Sequence, residues 1–152
     1  MQKFIATICL ALSLSAHAAT GPYDESADAK AQIKAALVQA AQDKVPVMVV
    51  FGANWCGDCK ALDHAFKEGR AAPLIAKNFK VVKVDVGRFT HNTDIAEDYG
   101  VYLKSGIPTV AVLSSQGKVI YATKAGELAD ARNMGDVAIY DFFTKVSAGQ
   151  LK

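Results

Sequence analysis

The chain has 152 residues, 51% of them hydrophobic and 21% charged, with a formal net charge of +2. That length suits one domain, and that composition can bury a core. So small a charge, with no polybasic run, leaves no electrostatic footprint for nucleic acid or a membrane surface.

Residues 1–18, MQKFIATICLALSLSAHA, carry Lys3, an apolar run from Phe4 to Leu14, and then Ala16-His17-Ala18. A basic start, an apolar centre and a small-x-small end, in that order, read as a secretory signal peptide, shorter than the ~20 residues of a spanning helix. A buried N-terminal helix is the alternative. Cleavage after Ala18 would remove Cys9 and leave residues 19–152 as the domain, with Cys56 and Cys59 as its cysteines. The expected location is then periplasmic or secreted, where disulfides persist.

Residues 19–25 read as an exposed lead-in. From Ser26 to Lys44 the apolar spacing of Ile33, Ala36, Leu37, Ala40 and Ala41 predicts a helix, capped by Ser26 or Asp28 and ended by Pro46. Val47 to Phe51 is a continuous apolar run, the pattern of a strand covered on both faces. A second helix is predicted from near Cys56, with Cys59, Leu62, Asp63 and Phe66 along one side, continuing or restarting over Ala72–Lys77. Phe79–Val86 reads as a buried strand and Gly87–Asn92 as a loop. Thr93–Tyr99 reads as a short helix capped by Thr93 and closed by Gly100. Thr109–Leu113 and Val119–Ala122 read as strands joined by a turn at Ser115–Lys118. Ala125–Gly135 is polar and irregular, and Asp136–Ala148 is a final helix with Val137, Ile139, Tyr140, Phe143 and Val146 on its apolar side. This order predicts an α/β fold with a central mixed β-sheet and helices on both faces.

Cys56 falls where a buried strand gives way to a helix. The unpaired N–H groups and partial positive charge of a helix N-terminus stabilise a thiolate there. A disulfide between residues this close constrains little of the unfolded chain, so a structural staple is the poorest use of the pair. Exchange is the best: Cys56 attacks and Cys59 resolves the mixed disulfide. Structural zinc needs more ligands than these two cysteines supply, and neither His64 nor His91 has convincing ligand spacing. A soft-metal module holding Cu(I) between Cys56 and Cys59 remains the alternative function, and a redox-linked adaptor is a third. No resident metal is expected. No phosphate loop or nicotinamide fingerprint is visible and no cofactor is expected, so electrons must be exchanged with another protein or a small thiol.

The run Trp55-Cys56-Gly57-Asp58-Cys59-Lys60 after VVFGA, with Gly106-Ile107-Pro108-Thr109 downstream, resembles the thioredoxin family over about residues 30–148. The resemblance implies a thioredoxin-like fold and a thiol–disulfide oxidoreductase, with Cys56 and Cys59 catalytic and Pro108 cis and facing the dithiol. The Ile107 backbone would pair with an extended substrate. Trp55 would either shape a docking surface or pack in the core. Protein thiol or disulfide substrates, a redox donor protein and a monomeric state are expected.

Two departures from the family pattern stand out. The family's buried aspartate aligns with Val50 and its lysine partner with Val81, so the proton acceptor for Cys59 is missing from its expected place; Asp85 reads as a strand-end or loop residue. Gly57 and Asp58 tune the dithiol, and a carboxylate at Asp58 opposes the helix-terminus effect on Cys56, which favours a reductant. The long segments Val86–Gly106 and Gly126–Gly135 read as solvated connections, with partner binding through Arg132 or Glu127 as the alternative.

Overall fold

The computed structural model describes residues 21–151, so the signal peptide expected over residues 1–18 lies outside them. Four strands form one mixed sheet in the order β2-β1-β3-β4. They are β1 (Val47–Gly52), β2 (Lys80–Asp85), β3 (Thr109–Leu113) and β4 (Val119–Ala122). β1 runs parallel to β2 and antiparallel to β3, and β3 runs antiparallel to β4 with a register shift at Val112/Leu113. Every residue of β1 and β3 is buried, as strands at the centre of a sheet covered on both faces must be.

The helices are α1 (Ala29–Asp43), α2 (Gly57–Lys67), α3 (Ala72–Asn78), α4 (Thr93–Asp98) and α5 (Ala131–Ser147). α1 begins at an Asp28 cap whose carboxylate accepts the Ala31 N–H. Its buried Ile33, Ala36 and Ala40 pack with Val47, Val49 and Phe51 and with Ile95 and Ala96 of α4. On the other face Leu62 and Ala65 of α2, Ile75 of α3 and Ile139, Phe143 and Val146 of α5 close over Met48, Val50, Val110 and Val112. Helices thus cover both faces, as the alternation of patterns predicts.

Three local expectations differ. Asn92, not Thr93, precedes the first turn of α4, and it takes a left-handed backbone (φ 52°) with no capping side chain. The last helix does not begin at Asp136. A first turn over 131–134 runs into Gly135 (φ 73°, ψ 163°), which kinks it before the main helix. Val137, expected on the apolar side, is exposed. The 125–130 loop is polar in composition yet anchored. Leu128 is fully buried, and a side chain on Gly126 would run into the Ser105 carbonyl just before the Ile107-Pro108 segment.

Candidate active site

After β1 the chain turns through Ala53, Asn54 and Trp55, and Cys56 takes the cap position of α2 with an extended backbone (φ −79°, ψ 115°). Its Sγ accepts the Cys59 N–H at 3.0 Å. The two cysteines are joined as a disulfide with Cα atoms 5.2 Å apart. Cys59, one turn into the helix, is wholly inaccessible, while Cys56 keeps a 5% edge toward solvent. When the bond is reduced, Cys56 is the sulfur that a helix N-terminus can hold as a thiolate.

The second wall of the site comes from the segment before β3. The Ile107-Pro108 peptide is cis, and the Ile107 carbonyl oxygen lies 3.5 Å from Cys56 Sγ. Ile107 and Pro108 are both buried. Trp55 is not a core residue: half of it is exposed, and its indole N–H donates to the Gly87 carbonyl at 2.8 Å. Its ring meets Phe89 edge-on at 6.0 Å, with the Arg88 guanidinium 5.8 Å from the ring centre.

Asp58 is not the free charge that the sequence suggests. It is buried, and its Oδ1 accepts both the Arg132 backbone N–H (3.0 Å) and the Arg132 Nε–H (3.1 Å). Burial works against its charge, but these hydrogen bonds and the guanidinium's charge outweigh it and hold the carboxyl below its ordinary range. The same guanidinium lies over Gly57, where a side chain would meet Arg132 Nη1 at 3.1 Å. Arg132 is therefore committed to the site's own framework. Glu127, the other candidate for a partner, accepts the Lys124 and Ala125 backbone N–H groups.

No acid stands at Val50, and the nearest comparable pair is a half-buried one on α2 and β2. The residue registered opposite Val50 is Lys83, whereas Val81 pairs with Met48 and is 37% exposed. Lys83 forms an ion pair with Asp63 of α2, one turn beyond Cys59, and Lys67 also reaches Asp63 at 3.0 Å. The lysine of the strand pattern is thus Lys83, two residues beyond Val81 on the same face of β2. Asp85 ends β2, as expected; its Oδ2 accepts the Gly87 N–H and lies 3.7 Å from His91 Nδ1. His64 lies 3.5 Å from Glu68 on the exposed side of α2, away from any cluster.

One residue of the site had no signal in the sequence. Tyr23, read as part of an exposed lead-in, is 1% exposed and packs over Gly52 beside Cys59. Asn54 fixes it from both sides: the Tyr23 N–H donates to Asn54 Oδ1 at 3.0 Å, and Asn54 Nδ2 donates to the Tyr23 carbonyl at 2.8 Å. Among the described residues no group of three or more His, Cys, Asp or Glu side chains could hold a metal ion, and no helix is long and apolar enough to cross a membrane.

A family model described as thioredoxin-like matches residues 28–115, a span that contains both cysteines and the cis proline. A solved structure, the disulphide isomerase from Xylella fastidiosa Temecula1, is 51% identical and superposes with a TM-score of 0.81, covering 86% of this chain and 99% of that one. A protein disulfide-isomerase of Humicola insolens is 42% identical over 66 residues, 43% of this chain but 12% of its own length. The probable thioredoxin-2 of Caenorhabditis elegans is 35% identical over 81 residues, 51% of this chain and 48% of its own. This chain thus spans half or less of these two relatives' length. With the sheet order, the dithiol at a helix cap and the cis proline beside it, these matches establish that the chain belongs to the thioredoxin-like family.

Proposed function

We propose that the chain is a thiol–disulfide oxidoreductase that exchanges disulfides with protein substrates through Cys56 and Cys59, working in the direction of reduction. The observation that carries this reading is the Cys56–Cys59 disulfide at the cap of α2, with the more accessible sulfur against the Ile107-Pro108 segment. The reduced Cys56 attacks a substrate disulfide. One substrate sulfur leaves as a thiolate and a mixed disulfide forms. Cys59 then gives up its proton and attacks Cys56 Sγ, the second substrate sulfur leaves, and the protein disulfide closes. Two electrons pass from the protein dithiol to the substrate.

Docking falls to the surface around Cys56. Exposed Trp55 and Phe89 offer apolar area, and the Ile107-Pro108 backbone offers an edge for an extended segment. The amino-terminal pattern supports export to the periplasm or beyond, and a separate electron donor protein would keep the dithiol reduced. The chain would act as a monomer.

Asp58 itself contributes little to the direction, because Arg132 compensates its charge. What supports reduction is the Ile107 carbonyl facing Cys56 Sγ, and the absence of a cationic residue at either position between the cysteines. A negative dipole end beside the sulfur disfavours the thiolate, destabilises the reduced form and makes the disulfide harder to reduce.

Cys56→Ser should abolish reduction of a protein disulfide, and Cys59→Ser should accumulate mixed disulfides through Cys56. Full activity in Cys56→Ser overturns the reading. The direction is tested separately by equilibration with glutathione, where ~30 mV corresponds to a tenfold change in the exchange constant. A potential as high as that of strong disulfide donors would overturn reduction and leave exchange standing.

A further inference from the structure

A dithiol enzyme must handle the proton and charge of its buried sulfur, and here the expected acid in β1 is Val50, packed among Met48, Leu62 and Val110. The chain builds something else beside Cys59. At Gly52 the backbone carries no side chain, and a Cβ there would overlap the Tyr23 hydroxyl and its ring carbon while coming within 3.0 Å of Cys59 Sγ. The phenol end of Tyr23 and the sulfur of Cys59 therefore share the small space that this glycine leaves open. Both are inaccessible to solvent, and both belong to one cluster of buried side chains.

We propose that Tyr23 is a positioning residue for Cys59, its hydroxyl donating a hydrogen bond to that sulfur when the disulfide is open. The inference rests on the exchange reading of Cys56 and Cys59. In the resolving step the Cys59 lone pair attacks Cys56 Sγ, the Cys56–substrate S–S bond breaks, and the electron pair leaves on the substrate sulfur. The proton that Cys59 gives up ends, by way of solvent, on that leaving thiolate. Negative charge thus sits on a sulfur with no access to water, where an unpaired ion is costly. A neutral donor offsets that cost without adding a second ion.

Tyr23 is suited to donate. Burial, and then the Asp85 carboxylate, push its hydroxyl well above the ordinary phenol range, so it keeps its proton at any pH where exchange occurs. The other charged groups around this pocket are already engaged. Asp85 accepts the Gly87 N–H and faces His91, Asp63 is held by Lys83 and Lys67 one turn along α2, and Asp58 is held by Arg132. The two-way Asn54 clamp fixes the Tyr23 backbone to the residue just before Trp55, so the donor is tied to the dithiol loop itself.

The test removes the oxygen and keeps the ring. In a Cys56→Ser background, Cys59 titrates alone and can be followed by its 13Cβ chemical shift, a readout independent of any enzymatic activity. Tyr23→Phe should move that titration up by about one pH unit, the roughly tenfold effect of one hydrogen bond to a charged group. In the two-cysteine protein it should slow mixed-disulfide resolution about tenfold while leaving the initial attack by Cys56 unchanged. An unchanged Cys59 titration overturns the proposal, even if exchange activity is normal. Loss of all exchange in the wild type would sink the functional reading, and the Cys59 titration would still decide the role of the phenol. Should Tyr23→Phe fold poorly, 3-fluorotyrosine labelling serves instead: the 19F resonance of Tyr23 must follow the Cys59 titration, and a flat response overturns the idea.

Discussion

Placing alanine at Gly52 tests the packing on which the site is built. The new Cβ would overlap the Tyr23 hydroxyl and lie 3.0 Å from the Cys59 sulfur, so the same small space would have to hold all three groups. Gly52 has an ordinary strand backbone, so no strain in φ enters, and the cost is steric overlap alone. Overpacking of this kind costs roughly 1–3 kcal/mol. Truncating the wholly buried ring in Tyr23→Ala should cost roughly 3–5 kcal/mol, in line with other large aromatic truncations. If the two sites were independent, these penalties would add in the double variant. They should not add here, because with the ring gone the alanine methyl occupies space that Tyr23 has vacated. A coupling of about 1–2 kcal/mol in the double variant's favour is expected, well above the ~0.5 kcal/mol scatter of independent sites. Urea unfolding of the oxidised protein, followed by far-UV circular dichroism, gives all four corners of the cycle with a check on the slope. Simple additivity would refute the placement of Tyr23 over Gly52, and the proton-handling proposal with it.

Asp58→Asn should lower stability at neutral pH and converge with the wild type in acid. The reason is one of sign: a carboxyl held below the ordinary carboxylate range stabilises the fold above that range and loses the contribution as pH falls through its lowered native value. Stability curves of equal offset at every pH would contradict this. Leu128→Ala should cost roughly 2–5 kcal/mol in urea unfolding, since Leu128 is the fully buried anchor of a loop that is otherwise polar. Because that loop delivers Arg132 to Asp58, the same variant should also flatten the acid limb of the stability curve; an unaltered limb would mean that Arg132 is positioned without it.

The parts of the site legible in the sequence are those set by neighbours in the chain. A valine-rich run followed by Trp55, Cys56 and Cys59 dictates a strand, a turn and a helix cap, so the placement of both sulfurs follows from local pattern. The same holds for Ile107-Pro108 ahead of the apolar β3. What escaped depends on partners far away in the chain. Tyr23 lies in a short stretch with no periodicity; Asn54, 31 positions on, ties its backbone down, and its ring packs over Gly52 in the core. Asp58 reads as an exposed first-turn acid until Arg132, 74 positions away, arrives to neutralise it. Lys83 escapes because Val81 and Lys83, two residues apart, lie on the same face of β2, and only the register with β1 tells which of them stands opposite Val50. The early turn of α5 was missed because Gly135 does break the helix, but one turn after its start.

These long-range contacts give the two sulfurs different surroundings. Cys56 meets a helix terminus, a carbonyl dipole and, across Gly57, a guanidinium already paired with a carboxylate. It keeps a small edge of contact with solvent, where Cys59 has none. Cys59 meets only buried side chains, with a phenol as its polar neighbour. A group that must attack substrates benefits from access; a group that must attack only its neighbour benefits from exclusion of water and a fixed position. The asymmetry is what the proposed order of events rests on, with Cys56 opening the exchange and Cys59 closing it. It also separates the two controls on the chemistry. Changes at Asp58, Arg132 or Ile107 act on the first sulfur and hence on substrate attack. Changes at Tyr23 or Gly52 act on the second, and so on how long the mixed disulfide survives.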